Sequence, residues 1–301
     1  MSSSHVREGG AGRIVLAVAL TTFLAAVPAA TALADRGAFV TSCDYSHSLR
    51  DDPIVHPGHP GASHLHDFFG SDRVDASSTV RSLRRGETTC LLQSDTAAYW
   101  MPTLYVDGTR IRPDRVRAYY FGNAHGLVVT TPPGLQSISG NPAATTTDEN
   151  PHVHWFCGAA QLLHVATPLA EHPYNCRPYA RDNDFVDGIV SKIDFPRCWN
   201  GLGTAPGDVT YDVPEVGCPA NFPYVLPRLI LRVHYGIMDP CAGVRPCGWD
   251  TATPETIAVT LSSGSYTTYH ADFWNAWHQR PLERLVRVCL NEHIDCGGQR
   301  G

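Results

Sequence analysis

Ten cysteines constrain this 301-residue chain more than any other feature, because all of them follow a segment that reads as an export leader. Arg7 and Arg13 precede an apolar run over residues 14–27, and a small-residue stretch then ends in Ala32-Leu33-Ala34, the pattern cut by a signal peptidase, with cleavage expected after Ala34. The run is too short to span a membrane, and no later segment is longer. An even number of cysteines in an exported chain is most simply read as up to five disulfides, which argues against reduced cytosolic chemistry. The expected location is extracellular.

Residues 35–301 show no repeat, heptad, charge block or flexible linker, so a single domain is expected. With 26 glycines, 23 prolines and only 17% charged residues, the chain favours many turns and short elements over long amphipathic helices. The formal charge of −6 becomes one unit more negative once Arg7, Arg13 and Glu8 leave with the leader. Nothing long-range then favours nucleic-acid phosphates or anionic lipid. Lys192 is the only lysine, so lysine-nucleophile chemistry would rest on it alone.

Turn-bounded segments at 98–106, 116–121, 126–131, 152–157, 229–237 and 255–261 read as strands. In 229–237, Leu229, Leu231, Val233, Tyr235 and Ile237 alternate with Ile230, Arg232, His234 and Gly236, the period of a half-buried strand. Phe273, Ala276 and Trp277, then Leu282, Leu285, Val286 and Cys289, recur at helical spacing and predict a C-terminal helix broken at Pro281. Cys289 with Cys296, and Cys241 with Cys247, are spaced to close small loops. The expected fold is all-β or β-rich: one disulfide-stabilised, sandwich-like domain with many loops and a short C-terminal helix.

The densest polar signal is the stretch 56–70, where His56, His59, His64 and His66 fall within eleven residues. If extended, it projects His64 and His66 from one face, a geometry for two ligands of one metal or for a base and its partner. His152 and His154 repeat the spacing. Such histidines also commonly hold irregular loops by bonding carbonyls. No glutamate follows at the cupin spacing, so a cupin metal site is not expected. The second concentration is 269–278, where Asp272 would occupy the first helical turn with His270 at the helix entry, a carboxylate placed to orient an imidazole. Asp95 and Asp194 stand before or within strand segments and are as consistent with turn chemistry. Tyr99, Trp100 and Trp274 are candidate rings for a sugar platform. No nucleophile elbow, phosphate loop, dinucleotide fingerprint or His-Glu-x-x-His helix occurs.

Several pieces coincide in order: Asp52-Pro53-Ile54-Val55, Ser63-His64-Leu65-His66-Asp67-Phe68-Phe69-Gly70, Thr88-Thr89-Cys90, Ala98-Tyr99-Trp100-Met101-Pro102, Pro132-Pro133-Gly134-Leu135, Phe195-Pro196-Arg197-Cys198-Trp199-Asn200-Gly201 and His270-Ala271-Asp272-Phe273-Trp274-Asn275-Ala276-Trp277. In these the sequence resembles the secreted family called domain of unknown function 1996, over nearly the whole of residues 35–301. Fungal members are often joined to modules that look like carbohydrate binders, which implies polysaccharide surroundings. Family members usually carry a histidine-containing segment after the Cys-Trp-x-Gly piece, whereas here residues 202–216 contain none.

The function expected from this sequence is to act on or bind extracellular polysaccharide, as a glycan hydrolase or lyase using His64, His66, Asp95, His270 and Asp272 in one cleft and requiring no cofactor. In that reading His64 or His66 is the general base or acid, and His270 with Asp272 the complementary group. Two other classes compete: a non-catalytic wall or glycan-binding protein, and a metal-binding protein using His64, His66 and one of His152, His154 or His270. A monomer is expected in each case.

Overall fold

The computed structural model describes residues 37–157, 173, 189–214, 216–235 and 259–298. The leader and the Cys241–Cys247 spacing lie outside the described residues. The first half of the fold comprises β1 (Ala38–Leu49), β2 (His66–Gly70), α1 (Val80–Arg85), β3 (Ala98–Pro102), β4 (Leu104–Val106), β5 (Thr109–Ile111), β6 (Pro113–Phe121), β7 (Gln136–Gly140) and β8 (Val153–Cys157). It continues with β9 (Ile189–Asp194), β10 (Cys198–Trp199), β11 (Val209–Thr210), β12 (Tyr224–Val225), β13 (Arg228–Tyr235), β14 (Val259–Leu261), β15 (Gly264–Ser265), β16 (His270–Trp274), α2 (Gln279–Leu285) and β17 (Asp295–Gly298).

Ten strands form one sheet in the order β7-β16-β3-β2-β1-β6-β13-β9-β8, with β17 beside β1. Every pairing along that path is antiparallel, and only β17 joins β1 in parallel. The twelve-residue β1 carries the sheet around its bend: Ala38 to Asp44 pair with β6, and from Tyr45 to Leu49 the strand pairs with β2 through an irregularity between Tyr45 and His47. A bulge of this kind turns the strand and re-aims its side chains. The two ends of the sheet approach each other, where Ser139 Oγ on β7 donates to the Asp194 carbonyl on β9 at 2.5 Å and Ser191 on β9 meets the Tyr269 hydroxyl at 2.6 Å. The sheet is thus a near-barrel wrapped on its own side chains.

Alternation decides what lies inside. Phe69, Tyr99, Met101, Val116, Ala118, Tyr120, Leu231, Val233, Ala271 and Phe273 point inward into one core. Their neighbours Phe68, Ala98, Trp100 and Trp274 point outward and are covered by Val74 and Leu83 from the α1 region. Both faces of β2, β3 and β16 are therefore buried, and each of these strands is buried at every position. Cys43–Cys90, Cys198–Cys218 and Cys289–Cys296 are bonded, the last as its spacing predicts. No helix among the described residues is long and apolar enough to cross a membrane.

Three local expectations change. The segment 98–106 is two strands, since Thr103 interrupts it and β4 turns away into a four-stranded sheet with β5, β14 and β15. Residues 126–131 form no strand, because the Val128 amide bonds the Asn291 side chain and the Val129 amide bonds the Val225 carbonyl. The C-terminal helix starts at Gln279, not before Phe273, and Pro281 sits in its first turn. Residues 270–274 are a strand, so Asp272 is not in a helical turn. Phe273 and Trp277 both enter the core, one from the strand and one from the connection, which mimics helical spacing.

Candidate functional site

The outer face of β2, β3 and β16 holds the polar residues singled out near 65 and 271. The register sets His66 opposite Pro102 and Asp272 opposite Trp100, and one step further along β16 brings His270 to the other side of Pro102. Two strand spacings separate positions flanking a middle strand by about 9.5 Å. The His66 and His270 ring centroids are nevertheless 5.8 Å apart. His64, two residues before His66 on the same face, completes the group at 4.2 Å from His66 and 5.0 Å from His270.

Backbone carbonyls fix the tautomers. His66 Nδ1 bonds the Asp51 carbonyl at 2.9 Å, and His270 Nδ1 bonds the Thr268 carbonyl at 2.8 Å. A carbonyl only accepts, so each Nδ1 carries the proton and each Nε2 presents a lone pair. One nitrogen from each of His64, His66 and His270 lies within 4.8 Å of the others, and one oxygen each of Asp52 and Asp272 falls within the same distance of His66. His66, His270, Asp52 and Asp272 are all buried, and His64 alone is half-buried.

Electrostatics shows what this cluster lacks. Burial, then the neighbouring imidazoles, hold His66 well below the ordinary histidine range. Burial lowers His270 to about 4 despite the favourable Thr268 bond, and burial with Arg50 and His56 lowers His64. Burial beside Asp52 pushes Asp272 well above the usual carboxylate range, and burial raises Asp52 although Ile54 and Val55 amides bond it. The His64 and His66 Nε2 atoms and both Asp272 oxygens are buried with no hydrogen-bond partner among the described residues. A protonated Asp272 brings a single O–H to this set of buried acceptors and an ionised one brings none, so unsatisfied acceptors remain in a low-dielectric interior, and a shared cation would satisfy them.

The other expected site residues lie elsewhere. Asp95 precedes the far end of β3, fully buried, accepting from the Ala97 amide at 3.1 Å and the Tyr99 hydroxyl at 3.0 Å. Tyr99 and Trp100 are fully enclosed and Trp274 is 8% exposed, so none presents a ring face to solvent. These rings pack the two sides of β3 because both sides of that strand are covered. His152 stacks on Tyr211 at 3.6 Å and lines, with His154, an open cleft that none of the clustered imidazoles reaches.

Sequence reasoning passed over Asp52 and Asp51. Asp51 holds the covering segment with its side chain, which takes the Gly61 and Ala76 amides, while its carbonyl orients His66. Their signal was adjacency to a histidine-rich stretch rich in Gly and Pro, where a carboxylate is the natural acceptor for loop amides.

Fold and site together define a disulfide-cross-linked antiparallel β protein with a buried centre of imidazoles and carboxylates on the outer face of its sheet. Residues 52–277 match the family described as Domain of unknown function (DUF1996), and the chain belongs to that family. No curated protein and no solved structure matches it.

Proposed function

We propose that this is an exported metal-binding protein whose centre holds one divalent first-row transition-metal ion on the Nε2 atoms of His64, His66 and His270 and the carboxylate of Asp272, with Asp52 as a second carboxylate beside it. The observation that carries the reading is that His66 lies within 4.8 Å both of His64 and His270 nitrogens and of Asp52 and Asp272 oxygens, with His64 Nε2, His66 Nε2 and both Asp272 oxygens buried without a partner among the described residues. Metal–nitrogen bonds of about 2 Å bring ligand atoms to within about 4 Å of one another, close to the spacing already present. Imidazoles whose other nitrogen donates to a carbonyl are the usual oriented ligands. A set of nitrogens and carboxylates without thiolate suits zinc, iron or copper, and manganese through its carboxylates.

In this reading the histidines are ligands and not the general acid and base of an unassisted hydrolase. An ion here would supply Lewis acidity at its half-buried His64 side, the side from which water or a polysaccharide oxygen would approach. The disulfides and the leader-like first 34 residues support export.

A second reading is favoured by the burial of His66, His270 and Asp272, because a closed ligand set is typical of structural ions. Calorimetric titration of the chelated chain with zinc tests the site itself: one equivalent should bind, and His270→Ala should abolish that binding. Equal binding by the variant would overturn the assignment. Turnover lost on chelation with the melting temperature unchanged marks a catalytic ion, whereas a fall in melting temperature alone marks a structural one.

A further inference from the structure

Away from the imidazole cluster, an open cleft of about 770 Å³ is walled by β9, the β8 entry, β12 and the segment around Tyr211. That volume is in the range of small-molecule clefts and far exceeds what an inorganic ion needs. Its chemistry is uneven in a way that specifies a ligand. Lys192, Arg197 and Arg228 all face it, with only Asp194 and Asp212 as carboxylates among its lining residues.

Asp194 serves two cations at once. Arg228 donates to Oδ1 from Nε at 3.0 Å and from Nη2 at 2.6 Å, and Lys192 pairs with Oδ2. Arg197 pairs with Asp212 at 2.7 Å, while its Nε is buried with no partner among the described residues. Among the described lining residues three cations thus face two carboxylates. The Arg228 side chain is 38% exposed, and its Nη1 edge is not engaged by Asp194.

The remaining wall is built for a ring. His152 and Tyr211 stack at 7° between planes, and the Tyr211 hydroxyl is fixed by Ser139 at 2.7 Å and the Asp194 carbonyl at 3.1 Å. Phe195 and Val225 add apolar surface. Asn123, His125 and His154 add polar groups beside it.

We propose that this cleft binds a carboxylated sugar, with the carboxylate on the Arg228 and Arg197 edges and the sugar ring against the His152–Tyr211 wall. The exposed Arg228 edge that Asp194 leaves unengaged suits a carboxylate, and mixed polar and aromatic surface suits a hydroxylated ring better than an apolar ligand. The site shares no residue with the imidazole–carboxylate centre and stands whether or not that centre holds a metal.

The test is calorimetric titration of the full chain with trigalacturonate, with neutral trigalactose and with inorganic phosphate, at low salt. Trigalacturonate should bind at least about tenfold more tightly than either of the others, a difference of about 1.4 kcal/mol. Arg228→Met should weaken it by about tenfold while Lys192 keeps Asp194 paired, and Arg197→Gln should weaken it independently. Chelation of the chain should leave the affinity unchanged. No binding, equal affinity for trigalactose or phosphate, or unchanged affinity in both folded variants would overturn the proposal.

Discussion

Replacing Asp95 by Asn should make the chain more stable relative to the parent as pH rises. Asp95 is fully enclosed with Tyr99 and Tyr120, whose hydroxyls lie 2.7 Å apart, and the Trp277 ring nitrogen donates to Tyr120 at 3.2 Å. Burial outweighs the Tyr99 and Ala97 bonds and pushes the Asp95 carboxyl up to about 8. The folded chain therefore keeps a proton that the unfolded chain releases near 3.8. Between those values the folded state binds more protons, so its stability falls with rising pH by about 1.4 kcal/mol per unit. The contribution is fully present below about 4 and lost by about 8.

From pH 5 to pH 7.5 the loss amounts to roughly 3 kcal/mol as an upper bound. Asparagine cannot titrate and escapes it. Urea unfolding followed by tryptophan fluorescence, with disulfides intact and at constant ionic strength, should show the difference between variant and parent moving in favour of the variant by roughly 2–3 kcal/mol across that interval. A difference that stays constant with pH would mean that Asp95 titrates as an ordinary carboxylate, refuting the reasoning.

Three further outcomes follow from local geometry. Gly70→Ala forces a side chain into a backbone with φ of +83° and against the Ala97 carbonyl, so thermal unfolding should show a loss of at least about 2 kcal/mol. Removing Cys43–Cys90, which spans 47 residues, should cost about 4 kcal/mol in a chemical melt, against about 2.5 kcal/mol for Cys289–Cys296, which spans 7. Asp51→Ala frees the Gly61 and Ala76 amides and loosens the carbonyl under His66, so zinc affinity should drop about 10- to 100-fold by calorimetry.

Strands with one dominant signal were legible in the sequence. The alternation from Leu229 to Tyr235 became β13, and the His64–His66 spacing put both rings on one face as an extended segment requires. What failed was the strand that precedes the C-terminal helix. Residues 270–274 read as the start of a helix because Phe273, Ala276 and Trp277 recur at helical spacing, although pairing with β3 and β7 makes them a strand. That same misreading concealed the alignment of His270 and Asp272 on one face, though their membership of the group was anticipated. Asp95 could not be separated from that group, because its distance along β3 depends on register. The aromatic residues were visible, but which face they filled was not. The approach of Asp52 to His66 and of Arg228 to Asp194 depends on contacts that no local pattern specifies.

Elemental analysis of the chain purified without an affinity tag tests the central assignment most directly. It should find about one equivalent of zinc, iron, copper or manganese per chain, lost in a folded His66→Ala or Asp272→Asn variant. A folded parent chain carrying no metal, and taking up none when equilibrated with these ions, would contradict it.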